Sequence, residues 1–224
     1  MRLRARPSLV SVAFLIALSA FGAMSDVGAE TAGARWKALG EADGIAVEMR
    51  AFEGSTFPEV RASGTVCATL PELVAFVQDV ARFERWIPDT EAARLLARPT
   101  PQDQIYYIRT SMPWPIKHRD MIYRLTESTL APVAGEISVS IDGEPSYLPA
   151  YPGVVRMASV TGRWTFREDR GRTHIELVMH IEPGGIVPGW LASQRVIGTP
   201  SKMLANLKRQ FEASCRDLSA AAAK

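Results

Sequence analysis

The chain has 224 residues, a formal net charge of +2, and a composition that is 47% hydrophobic and 22% charged. This size predicts one domain with short flanking segments, and the apolar share is sufficient for a sizeable core. The near-neutral charge and the lack of a basic stripe with interleaved aromatic residues argue against a protein that binds nucleic acid.

The N-terminus has the layout of a secretory signal. Three arginines in the first six residues precede Leu9–Ala20, an apolar run without charge. This run is shorter than the roughly 20 residues that a membrane-spanning helix requires. We therefore expect residues 1–29 to be a signal peptide that is cleaved after Ala29, and the mature protein to be exported to a bacterial periplasm.

Two helices and two strands are predicted next along the chain. Glu30–Gly44 is predicted to be a short helix that ends in an Asp-Gly turn. Alternating apolar and polar residues predict strands at Ile45–Arg50 and Val60–Cys67. Leu70–Phe83 is predicted to be a helix, because its apolar residues recur at i, i+3, i+4 and i+7.

Beyond Pro88 the pattern changes to a period of two, which is typical of strands in an antiparallel sheet. Hairpin-type turn residues separate the candidates. The predicted strands are Ala92–Ala97, Ile105–Thr110, Asp120–Thr126, Glu136–Ile141, Val155–Arg167 and Thr173–Glu182.

The chain closes with a long helical pattern, Pro188–Leu218, in which Gly198-Thr199-Pro200 predicts a kink. The sheet and this helix each have an apolar face, and they must bury those faces against each other. The pattern therefore predicts an α+β fold in which a curved antiparallel sheet wraps around a long C-terminal helix.

The cysteines and histidines give no site of their own. Cys67 and Cys215 could form one disulfide bridge, or they could be two buried small hydrophobic residues. His174 and His180 share the polar side of one strand, so we expect both to be solvated, and the histidines lack metal-ligand spacing. No Ser-His-Asp order, Gly-rich nucleotide loop or pair of carboxylates indicates a catalytic centre.

Three stretches resemble motifs of the START domain family, the lipid-transfer branch of the helix-grip superfamily. Trp86–Asp89 resembles its Trp-x-Pro-Asp turn. Pro113–Asp120 resembles its Pro-Trp-Pro loop and Arg-Asp strand start. Ile181–Leu191 resembles its last strand, its Pro-Gly-Gly turn and the entry to its gating helix. The resemblance covers most of Glu30–Asp217.

The resemblance implies a START-like, helix-grip domain over residues 30–224 with a tunnel that binds one lipid. The loop Ser111–His118 and the C-terminal helix would close this tunnel. No catalytic residue, metal or cofactor is implied. The expected partners are a lipid or other hydrophobic small molecule and, transiently, a membrane surface, and the protein is expected to be a monomer. The predicted ligand-binding residues are Met112, Trp114, Ile116, Arg119, Met121, Tyr123, Leu125, Trp164, Met179, Trp190, Leu191, Val196, Met203 and Leu207.

The residues at four positions bear on how a ligand would be held. Sterol-binding members of the family have an acid–arginine pair in the tunnel, whereas Leu125 stands where that arginine would be. Arg119 and Asp120 could hold a lipid headgroup, or they could serve the fold, with Asp120 binding backbone N–H groups of the neighbouring loop. Tyr123 is the tyrosine expected to present its hydroxyl to a ligand.

Two other functions remain open from the sequence. A helix-grip enzyme, such as a cyclase or hydrolase acting on an apolar substrate, would need a titratable group with a shifted pKa inside the tunnel. A ligand-sensing module would use the same pocket, and its helix would move when the ligand binds.

Overall fold

The computed structural model describes residues 35–128 and 135–215. The predicted signal peptide therefore lies outside the described residues. The strands are β1 (Lys37–Ala42), β2 (Ile45–Arg50), β3 (Glu59–Val66), β4 (Thr90–Ala97), β5 (Asp103–Thr110), β6 (Arg119–Glu127), β7 (Glu136–Gly143), β8 (Val155–Arg156), β9 (Ser159–Asp169) and β10 (Arg172–Glu182). The α-helices are α1 (Leu70–Gln78), α2 (Phe83–Trp86) and α3 (Gly189–Gln210), with a 3₁₀ turn at Val80–Arg82.

The strands form one sheet in the order β1-β2-β3-β10-β9-β7-β6-β5-β4, and neighbours along this path are antiparallel. The short strand β8 lies off this path and pairs in parallel with the start of β6. Helix α3 packs on β2, β3 and β10. The predicted α+β fold, a curved antiparallel sheet with a long C-terminal helix packed on it, is confirmed.

Strand alternation explains which side chains enter the interior. In β10, Ile175, Leu177 and Met179 are buried, and they face the same side because successive residues of a strand point to opposite faces. In β9, Trp164 and Phe166 are buried in the same core, while the arginines beside them are exposed. The period-two pattern thus specifies the inner face of the sheet.

The predicted helix Glu30–Gly44 is wrong over its described part. Lys37–Ala42 is strand β1, and it pairs with β2 through a tight turn. Asp43 and Gly44 both have positive φ, 54° and 66°, which suits a two-residue hairpin turn. All of β1 is exposed, so this segment has no buried helical face.

Three other boundaries differ from the predictions. Helix α1 ends at Gln78 rather than Phe83, because Asp79 adopts an extended conformation. The Asp79 carboxylate accepts a hydrogen bond from the N–H of Ala81 at 3.1 Å, which begins the following 3₁₀ turn. The predicted strand Val155–Arg167 is divided into β8 and β9. The last helix ends at Gln210 and continues through Pro200 without interruption.

The structure decides between the two alternatives for the cysteines. Cys67 and Cys215 form a disulfide, with their Cα atoms 5.0 Å apart and a separation of 148 positions in sequence. The bridge joins the end of β3 to the segment that follows α3. It therefore restrains the C-terminal end of α3 against the sheet, and a closed loop of this length stabilises the fold chiefly by constraining the unfolded chain.

Candidate ligand-binding cavity

A cavity lies between the inner face of the sheet, the helices α1 and α2, and helix α3. It contains about 1380 Å³ of space free of protein atoms, a volume that includes its open mouth. Most of the residues around it are apolar. A concave, mainly apolar space with few polar groups is typical of a small-molecule site.

The sheet lines this cavity with alternate residues of its central strands. On β6 these are Met121, Tyr123 and Leu125, and on β7 they are Val139 and Ile141. The same spacing of two continues on the next strands, since each strand presents every second side chain to one face. The lining residues there are Val160, Trp164 and Phe166 of β9, and Met179 and Ile181 of β10.

The cavity follows the whole length of β6. Its lining includes Arg119 at the first residue of the strand and Glu127 at the last. Eight steps of about 3.3 Å give a distance of roughly 26 Å. The acyl chains of one leaflet span about 15 Å, half of the roughly 30 Å hydrocarbon core of a bilayer. The cavity is therefore long enough for an extended hydrocarbon chain.

Many of the predicted ligand-binding residues line this space, and others lie beside it. The lining includes Met112, Arg119, Met121, Tyr123, Leu125, Trp164, Met179, Val196 and Met203.

Trp114 and Trp190 are 93% and 62% exposed. Ile116 is half-buried in the loop that carries Trp114, while Leu191 and Leu207 are buried. These five do not line the cavity. Their contact with a ligand stays a prediction.

Sequence reasoning missed the aromatic wall that the helices contribute. Phe83 and Trp86 of α2 line the cavity, and the Trp86 ring meets the Trp164 ring edge to face at 6.1 Å. Trp164 in turn stacks on Phe166, with 5.6 Å between ring centroids. The alternating pattern of β9 places Phe166 on the same face as Trp164, so the sequence could have identified Phe166. The sequence does not indicate where α2 lies.

Arg119 joins two loops beside the cavity. Its Nη1 donates to the carbonyl of Lys117 at 2.6 Å, in the loop between β5 and β6. Its Nη2 donates to the carbonyl of Ile186 at 3.1 Å and lies 3.5 Å from that of Gly184, in the loop before α3. A Cβ at Gly184 would lie 2.7 Å from the carbonyl oxygen of Arg156, so this turn requires glycine.

Among the described residues, the partner of the Asp120 carboxylate is Arg156 and not, as predicted, backbone N–H groups of the neighbouring loop. The Asp120 carboxylate accepts hydrogen bonds from Nε and Nη2 of Arg156 at 2.8 and 3.1 Å. Its side chain is 1% exposed. Arg156 also donates to the carbonyls of Pro145 and Leu148 at 2.5 and 3.0 Å. Because Asp120 and Arg119 are consecutive, they face opposite sides of β6. Asp120 therefore organises the outer loop, and only Arg119 reaches the cavity.

The buried tyrosines differ in their access to the cavity. Tyr123 lines it, and burial raises the pKa of its phenol. Tyr106 does not line it; its hydroxyl donates to the carbonyl of Gln78 at 2.9 Å and also bonds the side chain of Gln104. Burial raises the pKa of Tyr106 to about 12. Both phenols therefore remain protonated near neutral pH.

The expectation that His180 is solvated is wrong. Its side chain is 2% exposed, and its ring stacks on Phe52 with 3.7 Å between centroids. Its Nε2 lies 3.2 Å from a carboxylate oxygen of Glu182. The loop before β3 covers this outer face of β10, which strand alternation alone does not indicate. His174, six residues earlier, is exposed as expected.

Comparisons with known proteins agree on one family. A family model described as the START domain matches residues 27–216. An uncharacterized protein of Pseudomonas aeruginosa is 27% identical over 199 residues, which are 88% of this chain and 95% of the relative. The phosphatidylcholine transfer protein of Bos taurus is 25% identical over 164 residues, which cover 71% of this chain and 76% of the relative.

Solved structures give the same result. The crystal structure of a STAR-related lipid transfer protein from Xanthomonas axonopodis has a TM-score of 0.72 and 34% identity, and covers 79% of this chain and 98% of that one. Human StAR-related lipid transfer protein 5 has a TM-score of 0.70 at 20% identity, over 83% of this chain and 89% of that one, a likeness of fold alone. Within the described ranges, no helix combines the length and apolar character needed to cross a bilayer.

Proposed function

Since the chain belongs to the START domain family, we propose that it binds one lipid or similar hydrophobic molecule in its cavity and transfers it without converting it. The observation that carries this proposal is the apolar lining that β6, β7, β9 and β10 present to a cavity roughly 26 Å long. Burying an acyl chain contributes about 0.8 kcal/mol per CH₂ group. Sixteen carbons would contribute on the order of 10 kcal/mol before ordering costs.

The relatives support a lipid as the ligand. One is named for the transfer of phosphatidylcholine, and another, at 34% identity, is named a STAR-related lipid transfer protein. A phospholipid or a fatty acid is therefore the first ligand class to test. The methionines of the lining favour such a ligand, because flexible thioethers adapt to chains of different shape.

We further propose that the mouth opens at the loop 111–118 and at the N-terminal end of α3. Three large apolar side chains flank it, and each is mostly exposed: Trp114 at 93%, Ile186 at 94% and Trp190 at 62%. Tryptophan suits the boundary between water and lipid because its ring is apolar and its N–H is polar. These side chains would contact the membrane while the lipid enters or leaves.

A carrier fits the described lining better than an enzyme does. The carboxylates along the cavity are those of Asp89 and Glu127. Asp89 is exposed and forms an ion pair with Arg195, while Glu127 is half-buried at the end of β6. Neither is a carboxylate held alone in an apolar interior, the setting that raises the pKa of a general acid.

The proposed place of action is the periplasm. The basic and apolar pattern of residues 1–29 supports export with cleavage after Ala29. The Cys67–Cys215 disulfide fits an oxidising compartment. The protein would act there as a monomer that meets membrane surfaces transiently.

Replacing Trp114 by alanine is expected to slow lipid transfer between vesicles and to leave the fold intact. The side chain is almost fully exposed, so its loss removes membrane contact rather than core packing. Burial of such a ring contributes about 1.5–3 kcal/mol, which corresponds to at least roughly tenfold slower transfer if contact limits the rate. The measurement is the transfer rate of a fluorescent phosphatidylcholine from donor to acceptor vesicles.

Tyr147→Ala is the matched control, because Tyr147 is an aromatic residue, 41% exposed, that does not line the cavity. It should transfer lipid at the normal rate. A Trp114→Ala protein that also transfers at the normal rate would show that this loop is not the membrane contact.

A further inference from the structure

Arg119 is a buried cation without an acidic partner among the described residues. It lines the cavity and is 2% exposed, so water compensates little of its charge. The nearest carboxylate in sequence, Asp120, faces away and is held by Arg156. Buried charges in proteins are normally paired, because removing a lone ion from water is costly. A compensating anion is therefore missing from the residues around Arg119.

Backbone carbonyls satisfy only part of the Arg119 guanidinium. They accept from Nη1 and Nη2, whereas the Nε–H group has no partner in the described part of the chain. The guanidinium offers five N–H donors in a rigid fork, which matches carboxylate and phosphate oxygens. The guanidinium of this cavity-lining arginine therefore has hydrogen-bonding capacity that the described residues do not use.

A second donor without a partner belongs to another residue of the cavity lining. The indole N–H of Trp86 is buried and has no partner among the described residues, and Trp86 also lines the cavity. An unpaired buried N–H costs about 1–3 kcal/mol, so such groups usually meet an acceptor. Two unpaired donors in an apolar lining indicate a ligand that carries hydrogen-bond acceptors as well as a hydrocarbon chain.

We propose that the guanidinium of Arg119 binds the anionic headgroup of the ligand, a carboxylate or phosphate oxygen. The inference rests on the proposed function and specifies it: the cavity takes acidic or phosphate-bearing lipids in preference to neutral ones. The headgroup then lies at the mouth, where Arg119 already joins the two loops that cover it. The chain extends along β6.

The charges along β6 support this orientation. Arg119 begins the strand and Glu127 ends it, and both side chains line the cavity. A negative headgroup is attracted to the first and repelled by the second. The hydrocarbon chain therefore points towards the Glu127 end, past Tyr123 and Leu125.

The test uses delipidated full-length mature protein and four probes: palmitate, hexadecyl phosphate, hexadecanol and inorganic phosphate. Binding is measured by calorimetry at pH 8, below the concentrations at which the lipids form micelles. Hydrogen bonds to charged groups predict that the protein binds palmitate and hexadecyl phosphate about tenfold to a hundredfold more tightly than hexadecanol. In the Arg119→Gln variant, the affinities for palmitate and hexadecyl phosphate should fall to the affinity for hexadecanol. The Arg119→Lys variant should retain part of the preference for the two anionic probes.

Arg163→Gln is the control, since Arg163 is exposed on β9 and does not line the cavity. This variant should bind all probes as the unmodified protein does.

Equal affinity of the unmodified protein for palmitate and hexadecanol would overturn the headgroup proposal and leave the carrier function standing. This comparison does not depend on whether the variant folds. A folded Arg119→Gln variant that loses the same factor of affinity for palmitate and for hexadecanol would also overturn the headgroup proposal. Inorganic phosphate bound as tightly as hexadecyl phosphate would identify an anion site rather than a lipid site. Failure of every chain-bearing probe to bind would overturn the proposed function itself.

Discussion

Replacing Ile141 by tryptophan is expected to abolish ligand binding while the protein stays folded. Ile141 is 2% exposed, lines the cavity and pairs with Leu125, another lining residue. The indole therefore extends into the volume that a hydrocarbon chain would occupy. Overpacking a solid core costs about 1–3 kcal/mol, and an empty space beside the site reduces that cost.

The measurement is the affinity for a fluorescent fatty acid, together with the thermal unfolding midpoint. Blocking the cavity beside Leu125 should weaken binding more than about a hundredfold, since the loss exceeds roughly 3 kcal/mol of buried chain. Ser140→Trp is the matched control, because the preceding residue of the same strand faces the outside. It should bind normally. Normal binding by a folded Ile141→Trp would mean that the ligand lies elsewhere.

Replacing Asp120 by alanine is expected to lower the free energy of unfolding by about 3–5 kcal/mol. Removing the Asp120 carboxylate leaves the charge of Arg156 unpaired, in a side chain that is only 11% exposed. The same change weakens the attachment of β8, which pairs with β6 through Arg119 and Asp120. Because β8 lies next to the loops of the mouth, the variant should also lose affinity for lipid.

Urea unfolding, followed by circular dichroism, measures this effect. The control is Arg167→Met, which breaks the pair with Glu136, in which the arginine side chain is 54% exposed. Surface pairs contribute about 0–1 kcal/mol, so this variant should unfold close to the unmodified protein. The double variant Asp120→Leu, Arg156→Met should recover part of the stability, because no unpaired charge remains. Equal effects of Asp120→Ala and Arg167→Met would contradict a special role for the buried pair.

Much of the fold was predictable because the sheet is antiparallel and one of its faces is buried. Alternation then marks each strand and its inner face, as in β10. The N-terminal part was not predictable in the same way. The sequence of the short segment before Asp43-Gly44 is compatible with a helix. The segment forms strand β1 because the hairpin turn brings it beside β2, with which it pairs. The early end of α1 depends on the local conformation of Asp79, which periodicity does not contain.

The cavity was predictable where it is built from strands and not where it depends on distant loops. Met121, Tyr123 and Leu125 follow from the pleat of β6. The role of Arg119 does not, because its carbonyl partners Gly184 and Ile186 are 65 and 67 residues away in sequence. Side-chain partners that the fold brings together from so far apart have no local signature.

The central claim is that the sheet and α3 enclose a space that holds a lipid. Native mass spectrometry of the protein, purified without detergent, tests this most directly. We predict a mass above that of the protein chain by the mass of one lipid, in a ratio of one lipid to one protein. The mass of the unliganded chain alone, unchanged after incubation with lipid vesicles, would contradict the account.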